Sequence, residues 1–175
     1  RNLSYYESLV SSVVSQQLSN VVSKKIMSQI RNLTSDQGIT PESVSSLDLY
    51  SLQKCGLSKA KVSYIQGIAK LITNGELNFE ELHVLSDADV SSRLQKIRGI
   101  GVWTAEMFLI FQLNRQNIFP YSDAGIKSAM IKLYRLNSPV SNSRLEEISE
   151  AWDPYKSIAC RFLWKGLDGG YFRTP

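Results

Sequence analysis

Histidine and cysteine are almost missing from this chain: its 175 residues hold one histidine, His83, and two cysteines, Cys55 and Cys160, far apart. Zinc cages and four-cysteine iron–sulfur clusters need grouped imidazoles or thiolates, so both are excluded, and a disulfide framework has too few members. With His83 the only imidazole base available, Ser-His-Asp or Cys-His chemistry is not expected. No apolar run reaches the roughly 20 residues of a membrane span, and no secretory signal opens the chain, so no membrane partner is expected. Stretches that alternate apolar and polar residues between turns are lacking too, which leaves no strand candidate. Arg1 in place of methionine predicts that native residues precede this start.

What remains is ordinary globular material, 43% hydrophobic and 21% charged, which excludes a disordered tail or a fibrous repeat. Twenty Lys+Arg against sixteen Asp+Glu give a net charge of +4, a mild tilt toward polyanions. Apolar residues recur at helical spacing along most of the chain. Leu9, Val10, Val13 and Val14 form one stripe, and Val22, Ile26 and Ile30 the next. Thr40-Pro41-Glu42 reads as a cap with proline at the first helical position. Gly56 stops the turn that carries Leu49 and Leu52. Ser58 opens a helix with Val62, Ile65, Ile68, Ala69 and Ile72, closed by Asn74-Gly75. Ser86-x-x-Asp89 starts another that runs to Ile97, and a very apolar helix spans Val102 to Leu113. Asp123 precedes a helix with Ile126, Ala129, Met130 and Leu133; two more carry Leu145 and Ile148, then Ile158, Phe162 and Leu163. The predicted fold class is all-α. Asn114 to Ser122 and Asn137 to Asn142 have the lengths of ordinary connections, so residues 1–175 read as one domain.

The most informative stretch is Leu94-x-x-Ile97-x-Gly99-Ile100-Gly101-x-x-Thr104-Ala105, with its two helices over about 86–113. Glycines at the turn permit backbone angles that other residues resist, and they leave the first amides of the second helix bare. The helix dipole favours an anion there, and a DNA phosphate fits such a site without any base being read. Lys96 and Arg98 add positive charge. A glycine pair also suits a plain tight turn between antiparallel helices. The preceding Leu–Ile spacing and the following Thr-Ala favour the phosphate site.

Further blocks stand in order around this one. They are Ser15-Gln16-Gln17-Leu18-Ser19, Cys55-Gly56-Leu57-Ser58 with Lys61 and Tyr64, and Phe119-Pro120-x-x-Asp123-x-Gly125-Ile126. The last is Trp152-x-Pro154-Tyr155-Lys156-Ser157-x-Ala159-x-x-x-Leu163-Trp164. Together with the hairpin, nearly the whole chain resembles the helix-hairpin-helix (HhH-GPD) DNA glycosylases, in particular their 3-methyladenine (alkylbase) branch. That resemblance implies two helical subdomains with a cleft between them, and hydrolysis of the N-glycosidic bond of alkylated purines of the 3-methyladenine and 7-methylguanine type. The partner would be double-stranded DNA with a damaged or abasic nucleotide, bound by a monomer inside the cell, in the nucleus if the host is eukaryotic.

The resemblance makes Asp123 the catalytic carboxylate. Cleavage builds positive charge on the sugar, which a fixed carboxylate in a water-poor cleft stabilises, and the same group can orient the attacking water. Read alone, Asp123 is an N-cap, and capping would hold it rigid. Lyase-competent relatives carry lysine where this chain has Trp103, and tryptophan forms no Schiff base, so the implied enzyme leaves an abasic site; core packing on an apolar helix is the plainer reading of Trp103. Trp103 and Trp164 match pocket aromatics, Met107 stands where some relatives have tyrosine, and Tyr121 lies beside the catalytic loop. Electron-poor alkylated bases gain from stacking on such faces. Gln17, with Gln16 beside it, matches the residue that fills the gap left by an extruded base; otherwise it is an exposed helix-end glutamine. Ser19, Lys96, Arg98, Gly99, Gly101 and Thr104 complete the implied DNA contacts. No cofactor is implied, but a structural Na+ or K+ could sit on the backbone carbonyls of Gln95, Ile97 and Ile100. Two departures from the family pattern, Ser122 and Ala124, flank Asp123 and keep an alternative open, a binder of abasic or damaged DNA with little or no catalysis. The resemblance leaves none of these 175 residues for the N-terminal β-domain of some bacterial relatives.

Overall fold

The computed structural model describes residues 4–171 and contains, among them, helices and turns but no strand. The chain forms two compact units, Arg1–Phe108 and Leu109–Pro175. Along it run α1 (Tyr5–Ser15), α2 (Asn20–Thr34), α3 (Pro41–Ser45), α4 (Leu49–Lys54), α5 (Lys59–Thr73), α6 (Asp87–Gln95), α7 (Val102–Phe111), α8 (Ala124–Leu133), α9 (Asn142–Glu150) and α10 (Lys156–Asp168). Two short 3-10 turns, Ser35–Gln37 and Glu80–Val84, lie outside the apolar periods of the sequence.

Helix starts follow side-chain chemistry closely. Ser4, Ser19, Thr40, Asp48, Ser58, Ser86, Asp123 and Ser141 each accept a backbone N–H from the first turn of the helix that follows. Such a cap contributes about 1 kcal/mol to its helix. At Thr40 the arrangement is reciprocal, with Ser43 bonding back to the Thr40 N–H and Pro41 in the first turn.

In the first unit α5 is the central helix, packed against α1, α3 and α4. Its Val62, Ile65 and Ile68 are fully buried, as are Leu9, Val10, Val13 and Val14 of α1. Buried Tyr6 donates its hydroxyl to the Ile65 carbonyl at 3.0 Å, and burial pushes its pKa well up. The α2 stripe is shifted from the expected one: Ser23, Ile26, Met27 and Ile30 face inward, and Val22 is exposed. Val22 sits on the adjoining face, one helical step from the buried row. The second unit packs α8 against α10. Ile126, Ala129 and Met130 meet Leu145, Cys160 and Leu163 in its core.

Helices α6 and α7 each end two residues before the sequence suggested. After Gln95 the chain tightens, with the Ile97 N–H bonding Leu94 O and the Ile100 N–H bonding Ile97 O, both at 3.0 Å. After Phe111 the chain turns through Asn114, left-handed at φ +51°, and the Arg115 N–H closes onto Leu109 O at 2.9 Å. Leu133, Ile158 and Phe162 fit their helical periods but are exposed.

Candidate active site

The turn between α6 and α7 depends on its glycines in two different ways. Gly99 has φ +94°, and a Cβ there would stand 2.3 Å from Cγ of Tyr64 on α5. Conformation and packing both demand glycine. Gly101 has no such constraint: an added Cβ would meet nothing within 4 Å, and the residue is exposed. As the residue preceding α7 it brings no side-chain acceptor to the helix's first N–H groups, and its own carbonyl accepts from Ala105 N–H at 3.0 Å. Lys96 and Arg98 are exposed, and the Arg98 guanidinium lies 5.9 Å from the centre of the Tyr64 ring.

Gln16 is engaged inside the protein. Its Nε2 donates to Gly99 O at 2.9 Å and to Thr104 Oγ1 at 3.0 Å. Thr104 is 1% exposed, which takes its side chain off the surface. Ser19 caps α2 and remains exposed. Gln17, between the two, is exposed and left-handed at φ +58°, a conformation that costs a non-glycine residue about 1 kcal/mol or more. Trp103 is half-buried and Met107 is buried, both on α7. The carbonyls of Gln95, Ile97 and Ile100 lie at the C-terminal end of α6 and its turn, where the helix dipole concentrates negative charge. That of Ile97 already accepts from Ile100 N–H at 3.0 Å, which leaves one lone pair on that oxygen.

In the second unit Asp123 is half-buried rather than turned out into bulk solvent. Its Oδ1 accepts the Ile126 N–H at 2.8 Å and the Trp164 Nε1–H at 3.0 Å. Gly125 makes room for this pairing, since a Cβ there would lie 3.0 Å from Asp123 Oδ1 and 3.4 Å from Trp164 Cδ1. Trp164 also packs on Phe111, ring centres 5.5 Å apart. Thus Trp164, expected as a stacking face, is also a donor that orients the carboxylate. Tyr121 is half-buried, and Ser122 and Ala124 are exposed. The loop leading to Asp123 is fastened to α10 by Ser157, whose hydroxyl takes the Ile118 N–H at 2.9 Å and whose N–H bonds Gln116 O at 2.9 Å. Arg161 adds bonds to Ile110 O and to Asn114 Oδ1.

Lys61, Tyr64 and Ser157 stand in the sequence blocks, and their work shows only in the structure. Lys61 Nζ donates to Val14 O and Gln16 O, both at 2.8 Å. Helical spacing of Lys61 and Tyr64 on one face of α5 was the available signal. Chemically, the second unit offers a rigid carboxylate able to stabilise a cation, and the first a glycine turn flanked by cations at a helix start, which suits a phosphate.

These are the parts of a base-excision protein. The chain belongs to the HhH-GPD superfamily of base excision DNA repair proteins, whose family model matches residues 10–154. It is 33% identical over 162 residues to DNA-3-methyladenine glycosylase 1 of Schizosaccharomyces pombe, covering 91% of this chain and 71% of that one. It is 34% identical over 126 residues to a DNA-3-methyladenine glycosylase of Bacillus subtilis, covering 72% of this chain but only 42% of that relative's length. The fold is similar to that of the S. pombe 3-methyladenine DNA glycosylase in complex with abasic DNA, with TM-score 0.86, 32% identity, and coverage of 92% of this chain and 79% of that one.

Proposed function

We propose that residues 1–175 act as one monofunctional DNA glycosylase module that removes alkylated purines of the 3-methyladenine and 7-methylguanine type and leaves an abasic site. The observation that carries this reading is the half-buried Asp123 carboxylate, held on one oxygen by the Ile126 amide and the Trp164 indole. A carboxylate fixed before reaction stabilises developing charge without reorganising. Here that charge is on the deoxyribose as the C1′–N bond breaks and its electron pair leaves with the base. Water then adds to C1′ and loses a proton, with Asp123 to orient it or accept that proton. Alkylation makes the base a better leaving group and a better partner for aromatic faces. Trp103 and Met107 of the first unit, and Tyr121 and Trp164 of the second, are the base contacts in this scheme. Trp103 has no amine for a Schiff base, so the phosphodiester backbone is left uncut.

The target must first be extruded, at a cost of a few kcal/mol. Gln17 fills the gap, while the Gly99–Gly101 turn, Lys96 and Arg98 hold the backbone. Gln16, Ser19 and Thr104 serve DNA binding through the loops they fasten. Gln95, Ile97 and Ile100 are the residues that would hold a Na+ or K+, which would neutralise the carbonyl end of the turn next to a phosphate. No cofactor enters the scheme. The working form is a monomer on duplex DNA, located wherever the cell keeps its DNA, the nucleus in a eukaryote.

The test is release of methylated bases from alkylated duplex DNA, with Asp123→Asn alongside. Loss of preorganised stabilisation of this kind lowers rates about a hundredfold or more, so equal release by the variant removes Asp123 from the role. Tight binding of abasic duplex with no release by the wild type favours the alternative, a binder of damaged DNA.

A further inference from the structure

The exposed Gln17 lies between two pinned peptide groups. On one side the Gln16 carbonyl accepts from Lys61 Nζ; on the other the Leu18 N–H bonds Ser15 O at 3.0 Å. Lys61 also takes the Val14 carbonyl, so a single ammonium from α5 satisfies two of the carbonyls that end α1. A cation there also suits the negative end of the helix dipole. One turn along the same face of α5, Tyr64 supports Gly99. The Gln16 side chain crosses from this loop to the hairpin, to Gly99 O and Thr104 Oγ1. The two loops are therefore tied to one rigid helix and to each other through four hydrogen bonds, each between 2.8 and 3.0 Å.

We infer that Lys61 and Gln16 are positioning residues that set the Gln17 loop in register with the phosphate-binding hairpin, so that the plug meets the gap opened at the target nucleotide. This rests on the glycosylase reading above and adds residues to which that reading gives no part in plug placement. The physical argument is strain. A glutamine held left-handed relaxes to an extended or right-handed conformation once its neighbours are released, and its side chain then leaves the gap. The Lys61 ammonium does this work while half-buried, and burial pushes its pKa below the usual value. In the scheme above the phosphate contacts come from the Gly99–Gly101 turn, Lys96 and Arg98, whereas Lys61 bonds the Val14 and Gln16 carbonyls, so Lys61→Met separates affinity from plug insertion.

The experiment uses the whole chain and a duplex with 2-aminopurine beside a tetrahydrofuran abasic-site analogue, whose fluorescence rises when the plug unstacks its neighbour. Lys61→Met keeps the apolar stem and removes the donor. Its duplex affinity is expected within about threefold of wild type, and its fluorescence rise reduced about fivefold or more. In a Gln17→Ala background Lys61→Met is expected to add nothing, because a residue that acts through another loses its effect once that other is gone. Multiplicative effects of the two substitutions overturn the inference, and so does a loss of affinity in step with the loss of signal. If circular dichroism shows Lys61→Met unfolded, Lys61→Leu takes its place with the same expectation and the same grounds for rejection. A wild-type protein with a normal fluorescence rise but no base release refutes the catalytic reading and leaves the positioning role supported. A wild-type protein with no rise overturns the positioning role.

Discussion

The two glycines of the hairpin separate folding from DNA binding. At Gly99 an alanine Cβ would lie 2.3, 2.5 and 2.7 Å from Cγ, Cδ2 and Cβ of Tyr64, with φ +94° besides. Overpacking costs about 1–3 kcal/mol and a left-handed non-glycine residue about 1–2 kcal/mol, together about 2–5 kcal/mol. In a chain of this size each kcal/mol lowers Tm by about 2–4 °C, so Gly99→Ala should melt roughly 4–20 °C below wild type. At Gly101 the same substitution meets open space, and stability should stay within about 0.5 kcal/mol of wild type. If a phosphate approaches the helix start there, however, the new methyl holds it off and a charge-assisted hydrogen bond is lost. That is worth about 1.5–3 kcal/mol, roughly a tenfold to hundredfold weaker complex. Thermal melts and anisotropy titrations with an abasic duplex at one fixed salt concentration measure both quantities. Wild-type affinity for Gly101→Ala refutes the phosphate site. A melt as low as that of Gly99→Ala refutes the steric account of the turn.

Two further outcomes follow from hydrogen bonds to carboxylates. Trp164→Phe keeps a ring against Phe111 but removes the Nε1–H donated to Asp123. A bond to a charged group is worth about 1.5 kcal/mol or more, so single-turnover base release should fall about tenfold, and an unchanged rate refutes the orienting role. Asp48 caps α4 by accepting the Ser51 N–H at 2.8 Å and the Ser51 hydroxyl at 2.7 Å, and these bonds hold its pKa below the ordinary carboxylate value. Its contribution is full above that ordinary value and is lost as pH falls through the lowered one. Tm should therefore drop more steeply on acidification for wild type than for Asp48→Asn, and parallel curves would disprove the linkage.

The fold was largely legible because its signals are local. Ser58, Ser86, Thr40-Pro41 and Asp123 mark helix starts through bonds made within one turn, and Leu9, Val13, Ile65 and Ile126 mark buried faces through period alone. Where the reading slipped, a non-local term decided. Val22 fits the α2 period as well as its neighbours, but which face goes inward depends on the partner the helix meets. Helix α7 stops at Phe111 because Asn114 turns left-handed, a choice that asparagine permits without announcing.

The candidate site divides along the same line. Asp123 and the glycine turn stand out in the sequence because cap and turn chemistry is written in adjacent residues. Gln16 and Lys61 do not, since their partners lie 83 and 45 residues away. A polar side chain beside a known loop therefore reads as a ligand contact until the structure shows its hydrogen bonds already made within the protein. Gln16 and Gln17 are neighbours of one residue type, yet one braces the hairpin while the other stands exposed. What separates them is the reversal of backbone at Gln17, which aims successive side chains apart. Residue type supplies the chemistry available at these positions, and the long-range packing of α1, α5 and the hairpin decides where it is directed.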